Sequence, residues 1–105
     1  MNLEMPQFDE CYGVEPGTPT ITAILDSCER MIPYHSFRSA TFESKLIELF
    51  FNEWVMSIKG THLVLLWRSL QMHDVLWVRA TNDQALLSME DECVVSSLTM
   101  RPVEN

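Results

Sequence analysis

Apolar positions in residues 18–33 recur with the spacing of an amphipathic α-helix. The positions i, i+3, i+4, i+7, i+10 and i+11 are held by Ile21, Ile24, Leu25, Cys28, Met31 and Ile32. Thr18 is a favourable N-cap, and Pro19 would stand at the first helical position, where its missing N–H costs nothing. Pro33 would end the helix. The pattern therefore predicts a first helix with one buried face.

A second helix is predicted from Thr41, a capping residue, to Lys59, with Gly60 as its stop signal. Its apolar residues are too many for one face: Phe42, Leu46, Ile47, Leu49, Phe50, Phe51, Trp54, Val55, Met56 and Ile58. The polar residues form only a narrow stripe of Lys45, Glu48, Asn52 and Lys59. Well over half of the circumference would need burial, so this helix is expected at the centre of the domain or against another chain.

Residues 62–80 contain two short apolar runs, His62–Leu70 and Val75–Ala80, separated by residues 71–74. These runs favour a β-hairpin in which Trp67 would lie opposite Trp77. A buried helix from Thr61 to His73 fits the same residues, because a short apolar run does not distinguish a strand from a buried helix.

The last third of the chain predicts a short helix and then a strand. Thr81 and Gln84 have capping-box spacing and precede an apolar run, which predicts a third helix near 82–90. Residues 93–100 alternate in character and predict a C-terminal strand. The expected fold class is α+β, with two N-terminal helices packed on a small antiparallel sheet made of the 62–80 hairpin and the C-terminal strand.

Proline and glycine positions give the expected domain organisation. Residues 1–17 would form an irregular acidic arm, 18–102 a single α+β domain and 103–105 a tail. A length of 105 residues, of which 47% are hydrophobic, is enough for one core and not for two. No apolar segment approaches the roughly 20 residues that a bilayer requires. Three cysteines without a paired motif are expected to be reduced thiols in the cytoplasm.

The charge of the chain is concentrated at its two ends. Residues 1–30 hold six acids and one base, and residues 81–105 hold five acids and one base, whereas 31–80 hold four acids and five bases. The whole chain has a net charge of -8, which argues against direct binding to nucleic acid or to an anionic membrane. The pattern predicts a nearly neutral core unit with two acidic flanks.

The sequence contains no strong catalytic, cofactor or metal motif. His35, His62 and His73 are spaced unlike zinc ligands, and no paired cysteines accompany them. Cys93, His62 and Asp74 could form a triad in principle, but no nucleophile motif supports it. The three glycines form no phosphate-binding pattern. We therefore expect no enzyme, no metal and no cofactor.

The excess of apolar residues over what a small domain can bury predicts an interface with another protein. The leading hypothesis is a non-enzymatic module, an inhibitor of the anti-defence or immunity type that occupies a basic, possibly nucleic-acid-binding, surface of a partner protein. The expected partner-binding residues lie in the two flanks: Phe8, Asp9, Glu10, Tyr12, Glu15, Glu90, Asp91 and Glu92. The alternatives are a homodimeric chaperone of a secreted client and a small enzyme or ligand carrier with a Cys/His site.

Overall fold

The computed structural model of the chain describes residues 11–81 and 93–103. Eight strands lie in these residues: β1 (Tyr12–Val14), β2 (Thr20–Ile24), β3 (Glu29–Pro33), β4 (Phe37–Glu43), β5 (Leu46–Phe51), β6 (Trp54–Thr61), β7 (Val75–Arg79) and β8 (Val94–Pro102). A single helical turn, Tyr34–Ser36, precedes β4, and helix α1 (Val64–Gln71) lies between β6 and β7.

The strands form two four-stranded sheets. The first sheet has the order β1-β7-β2-β3, in which β7 runs parallel to β2 and the other pairs are antiparallel. The second sheet has the order β4-β5-β6-β8 and is antiparallel throughout. Because β7 belongs to the first sheet and β8 to the second, the chain changes sheets three times.

Helix α1 packs against the inner face of the second sheet. Leu66 and Leu70 of the helix are buried in one cluster with Ile47 and Leu49 of β5. The Phe42 ring of β4 lies 5.4 Å from the Trp67 ring of the helix. Leu63, just before the helix, is fully buried too, and further fully buried side chains of this core come from both sheets: Ile21, Ile58, Phe51, Met56, Val75, Val78 and Val95. The two sheets and the helix therefore share one hydrophobic core.

The predicted first helix is wrong, because residues 20–33 form the β2–β3 hairpin. Ile21 and Ala23 are buried while their neighbours on β2 are half-buried, which is the period-2 pattern of a strand. The turn contains Cys28, whose carbonyl accepts a hydrogen bond from the Leu25 N–H at 2.8 Å. The helical spacing arose because apolar residues of two strands and their turn were read as one series.

The predicted second helix is also wrong, because residues 37–61 form the β4–β5–β6 meander. Lys45 and Asn52, two members of the supposed polar stripe, fall in the turns between these strands. Gly60 does not stop a helix: a Cβ there would collide with the Val94 carbonyl of β8. The large apolar set is explained by a sheet in which one face is buried and the other is half-buried.

In residues 62–80 the predicted hairpin is wrong. The alternative of a buried helix from Thr61 to His73 is closer, but the observed helix is shorter and exposed on its outer side. Val64–Gln71 is helical, so Trp67 does not face Trp77. The strand β7 matches the predicted second run, but its neighbours are β1 and β2. Trp77 lies against Gly13 of β1, where a Cβ would collide with the indole ring.

The predicted C-terminal strand is confirmed as β8, which pairs with β6 and not with residues 62–80. The fold class as a whole is wrong: the described chain is mostly β, with two sheets and one helix. The predicted third helix near 82–90 lies outside the described residues. Within the part that is described, no helix is long and apolar enough to cross a membrane.

The structure describes only part of the predicted acidic arm. Its residues Tyr12–Val14 form the edge strand β1, and the Arg79 N–H donates to the Cys11 carbonyl at 2.8 Å. The division into an arm at 1–17, a domain at 18–102 and a tail at 103–105 stays a prediction.

Candidate functional site

An apolar cavity of about 250 Å³ lies between the inner face of the second sheet and α1. Its walls are formed by Phe37 and Ala40 of β4, Leu49 of β5, Trp67, Leu70 and Gln71 of α1, and His73. Ala40 and Leu49 are paired across the two strands and so share this face. Because Ala40 contributes only a methyl group, the sheet leaves space here that a larger side chain would fill.

Aromatic rings form one end of the cavity. The imidazole of His73 stacks on Tyr34 with centroids 4.7 Å apart and an interplanar angle of 5°. The Phe37 ring meets the same imidazole edge-on at 5.5 Å, and it packs in the same manner on Phe51 at 5.7 Å. Such contacts fix ring orientation, so this wall of the cavity is pre-formed.

His73 adopts a left-handed backbone conformation, with φ of 57°. It directly follows the C-cap of α1: the His73 N–H donates to the Leu70 carbonyl and the Asp74 N–H to the Ser69 carbonyl, both at 3.0 Å. These are the two bonds of a Schellman motif, in which glycine is the usual residue at this position. A histidine there is strained, and its ring contacts offset the strain.

Tyr34 anchors this end of the site to the first sheet. Its hydroxyl donates a buried hydrogen bond of 2.6 Å to the Val75 carbonyl of β7. Burial raises the pKa of Tyr34 well above the ordinary value, and the nearby Asp74 carboxylate raises it further, against the opposing effect of the bond to Val75. Tyr34 therefore remains a neutral hydrogen-bond donor.

The outer side of α1 exposes three apolar side chains. Leu65 is 62% exposed, Met72 is 71% exposed and Val64 is 46% exposed. At 100° per residue, Gln71, Val64 and Arg68 lie between Trp67, which lines the cavity, and Met72. The exposed apolar residues are therefore interspersed with one polar and one basic residue, and we call Val64, Leu65 and Met72 the α1 face.

Two of the predicted partner-binding residues lie in the described part of the chain. The Glu15 N–H donates to the Asp74 carbonyl at 2.7 Å, so the exposed Glu15 lies beside the C-terminal end of α1. Tyr12 is half-buried in β1 opposite Val78, and burial, with a smaller effect of Cys93, raises its pKa. The remaining residues lie outside the described ranges: Phe8, Asp9, Glu10, Glu90, Asp91 and Glu92.

The outer face of the second sheet holds a more polar depression of about 680 Å³. Arg38 and Arg101 flank its floor of Phe50 and Val55. The Arg101 guanidinium lies 3.7 Å from a Glu48 carboxylate oxygen, and Arg38 donates to the Asn52 side chain at 3.1 Å. Because both arginines already have polar partners, this depression is a weaker candidate than the cavity beside α1.

Across residues 11–81 and 93–103, no group of three or more His, Cys, Asp and Glu side chains is arranged to hold a metal ion. The three cysteines form no disulfide with one another: Cys11 is buried, Cys28 is exposed and Cys93 is half-buried. The Cys11 sulfur accepts a hydrogen bond from the Val95 N–H at 3.2 Å, which gives it a structural contact between the sheets.

No family model matches the chain, and neither a curated protein nor a solved structure shows significant similarity to it. The candidate site must therefore be judged on its own geometry.

The sequence did not indicate this cavity, because its walls come from β4, β5 and α1. The two strands were predicted as one helix, and α1 was predicted as one strand of a hairpin. The sequence feature that could have indicated the cavity was the alternative helix over 61–73. In that helix Trp67 and Gln71 are four residues apart and share one flank.

Proposed function

We propose that the protein is a non-enzymatic protein-binding module that docks on its partner through the α1 face and the adjoining cavity. The observation that carries the proposal is the exposure of three apolar side chains on the α1 face, next to a pre-formed aromatic cavity. Hot spots of protein interfaces combine these features: a large apolar anchor from one protein enters a pocket of the other.

The exposed leucine and methionine give the helix face its affinity. Burying one such side chain in an interface removes apolar surface from water and contributes about 1.5 to 3 kcal/mol. Large apolar side chains also cost solubility while they are exposed. Their clustering beside a cavity supports a role in binding, since a purely structural helix needs only its inner side to be apolar.

The acidic balance of the chain supports a partner with a basic surface. The net charge is -8, and Glu15 lies next to the end of α1. Carboxylates opposite lysine or arginine accelerate association and make it sensitive to salt. If the basic surface normally holds nucleic acid, the module acts as an inhibitor that competes with phosphate groups. Three cysteines without a disulfide fit a reducing compartment, and the proposal assigns the protein to the cytoplasm.

The cavity supports a ligand carrier less well than a protein-binding module. Pockets for small molecules usually enclose about 300 to 1,000 Å³. The volume of about 250 Å³ found here is closer to the space needed for one large side chain.

The proposal is tested with Leu65→Glu and Met72→Glu variants. The tagged wild-type protein recovers a partner from its native cell extract, and mass spectrometry identifies it. Interferometry with the purified partner then measures the affinity of each variant. We expect each glutamate to weaken binding at least tenfold. The control is Thr99→Glu, which adds the same charge at an exposed position of β8. Equal affinity of all three variants would contradict the proposal.

Light scattering distinguishes this function from that of a homodimeric chaperone. The chaperone hypothesis requires a stable dimer, and Leu65→Glu would convert it to a monomer if the α1 face were the dimer interface. A wild-type monomer with the affinity pattern described above supports the binding module.

A further inference from the structure

The cavity beside α1 has an apolar floor and a polar rim. Among its lining residues, Leu49 and Leu70 are buried and form the floor, whereas Gln71 and His73 are exposed and form the rim. Trp67 is half-buried and lies on the side between them. A group that fills the cavity therefore meets apolar surface at its inner end and hydrogen-bonding side chains at its outer end.

The size and the walls of the cavity favour a pair of fused aromatic rings. An apolar cavity of about 150 Å³ is large enough to bind benzene. The cavity found here encloses about 250 Å³, which leaves space for a second ring fused to the first. The rings of Phe37 and Trp67 line its sides, and aromatic rings gain stabilisation from packing on one another beyond the burial of their area.

The polar rim distinguishes between the aromatic side chains. In tryptophan the indole N–H lies near the ring carbon that bears the Cβ, so it stays at the rim when the benzene ring enters first. The side-chain oxygen of Gln71 is an acceptor for such a donor. In tyrosine the hydroxyl lies at the far end of the ring and would be carried to the apolar floor, where burial without a partner costs affinity. Phenylalanine gains no hydrogen bond at the rim.

We propose that the cavity receives a tryptophan side chain of the partner protein. The benzene ring of the indole packs on Leu49 and Leu70, and the indole N–H donates to the side-chain oxygen of Gln71. Tryptophan is enriched among the residues that contribute most to protein interfaces, and such residues enter well-packed pockets. The inference rests on the proposed function and specifies the anchor that the partner inserts.

The chain does not supply this side chain itself. Its sequence has three tryptophans, all within the described residues: Trp54, Trp67 and Trp77. Trp67 lines the cavity, the Arg30 guanidinium lies 3.8 Å from the centre of the Trp54 ring, and Trp77 packs against Gly13. A second copy of the chain would have to break one of these contacts to insert a tryptophan. The anchor therefore comes from a different protein.

The test titrates the protein with three small molecules that reproduce aromatic side chains: skatole for tryptophan, para-cresol for tyrosine and toluene for phenylalanine. Nuclear magnetic resonance of isotope-labelled protein follows the side-chain amide of Gln71 and the indole N–H of Trp67. Ala40→Leu fills the cavity, and Gln71→Met removes the amide but keeps the length of the side chain. Thr41→Val is the control, because Thr41 is next to Ala40 on β4 and faces the opposite side of the sheet. Thermal unfolding verifies that each variant is folded.

We expect skatole to bind the wild type more tightly than para-cresol and toluene and to shift both resonances. Ala40→Leu should weaken skatole binding at least tenfold. Gln71→Met should weaken it about threefold to tenfold, which corresponds to one neutral hydrogen bond, and should leave toluene binding unchanged. The inference is overturned if skatole does not bind, as when a segment of the chain itself fills the cavity. It is also overturned if para-cresol or toluene binds at least as tightly, or if skatole binds all variants equally.

A second experiment distinguishes a tryptophan of the partner from a free indole compound. Each surface tryptophan of the purified partner is changed to alanine, and interferometry measures binding to the wild-type chain. One of these changes should weaken binding at least tenfold, and Ala40→Leu should do the same with the unaltered partner. Skatole binding without any such effect would assign the cavity to a free ligand and overturn the inference. The proposed function is judged separately, because loss of the partner in Leu65→Glu with retention in Ala40→Leu would reject the tryptophan anchor and keep the protein-binding role.

Discussion

The two sides of α1 carry the same kind of residue in opposite surroundings. Leu66 and Leu70 on the inner side are 0% and 5% exposed, whereas Leu65 and Met72 on the outer side are 62% and 71% exposed. The inner side completes the core, and its contribution is to stability. The outer side leaves its apolar surface in water in the folded chain, so we assign its contribution to association with a partner. Substitutions on the inner side of the helix should therefore lower stability, and substitutions on the outer side should weaken binding.

The largest effect is expected on the inner side. Leu66→Ala removes a fully buried side chain between the helix and both sheets and should lower the free energy of unfolding by about 2 to 5 kcal/mol. The matched change Leu65→Ala, one residue away on the outer side, should alter it by less than about 0.5 kcal/mol. Urea unfolding followed by tryptophan fluorescence measures both. A similar loss of unfolding free energy in both variants would show that the two sides of α1 do not differ in burial as described.

Tyr34→Phe should have the next largest effect, because it leaves the buried Val75 carbonyl without its donor. The expected loss is about 1 to 3 kcal/mol at neutral pH.

The same variant predicts a pH dependence. The pKa of Tyr34 is raised in the folded state above its ordinary value of 10.0, so the unfolded chain releases this proton first. The stability linked to Tyr34 is full below pH 10 and declines as the pH rises above it. The difference between wild type and Tyr34→Phe should therefore shrink in alkaline solution, as measured by urea unfolding from pH 8 to 11. A constant difference would contradict the assigned environment of this hydroxyl.

Substitutions of His73, at the end of α1, should have a smaller effect on the free energy of unfolding, and this effect should differ between glycine and alanine. His73→Gly loses the ring contacts with Tyr34 and Phe37, worth about 0.5 to 1.5 kcal/mol, but relieves the left-handed backbone strain. His73→Ala loses the contacts and keeps the strain. The alanine variant should be less stable than the glycine variant by about 1 kcal/mol. Equal stabilities in urea would show that the backbone at this position is unstrained.

The C-terminal strand β8 was predicted nearly in full, as residues 93–100. The single helical period of residues 18–33 was misleading, because these residues form the β2–β3 hairpin. Residues 41–59 are apolar on both faces, and their turns at Ser44–Lys45 and Asn52–Glu53 contain neither glycine nor proline. No local sequence signal therefore distinguished three strands from one long helix. Residues 62–73 were ambiguous for a related reason: histidine, not glycine, occupies the left-handed positions on both sides of α1.

The candidate site was harder to predict than the fold. The partner-binding role of Glu15 was predicted from charge and stays a prediction; the structure places Glu15 beside the end of α1. The cavity is created by the packing of Trp67 and His73 over the small residue Ala40, which precedes them by 27 or more positions in the chain. Only the three-dimensional pairing of β4 with β5, under α1, brings them together.

The smallest effect on stability is expected at Met72, and this makes it the most direct test of the outer side. Met72→Ser replaces a side chain that is 71% exposed and should change the free energy of unfolding by less than about 0.5 kcal/mol. Partner binding, measured by interferometry, should weaken about tenfold, because each 1.4 kcal/mol of lost interface burial is tenfold in affinity. Thr99→Ser on β8 is the control for an exposed serine. A loss of stability above about 1 kcal/mol would mean that Met72 is covered within the folded chain, and the outer side of α1 would then belong to the core and not to an interface.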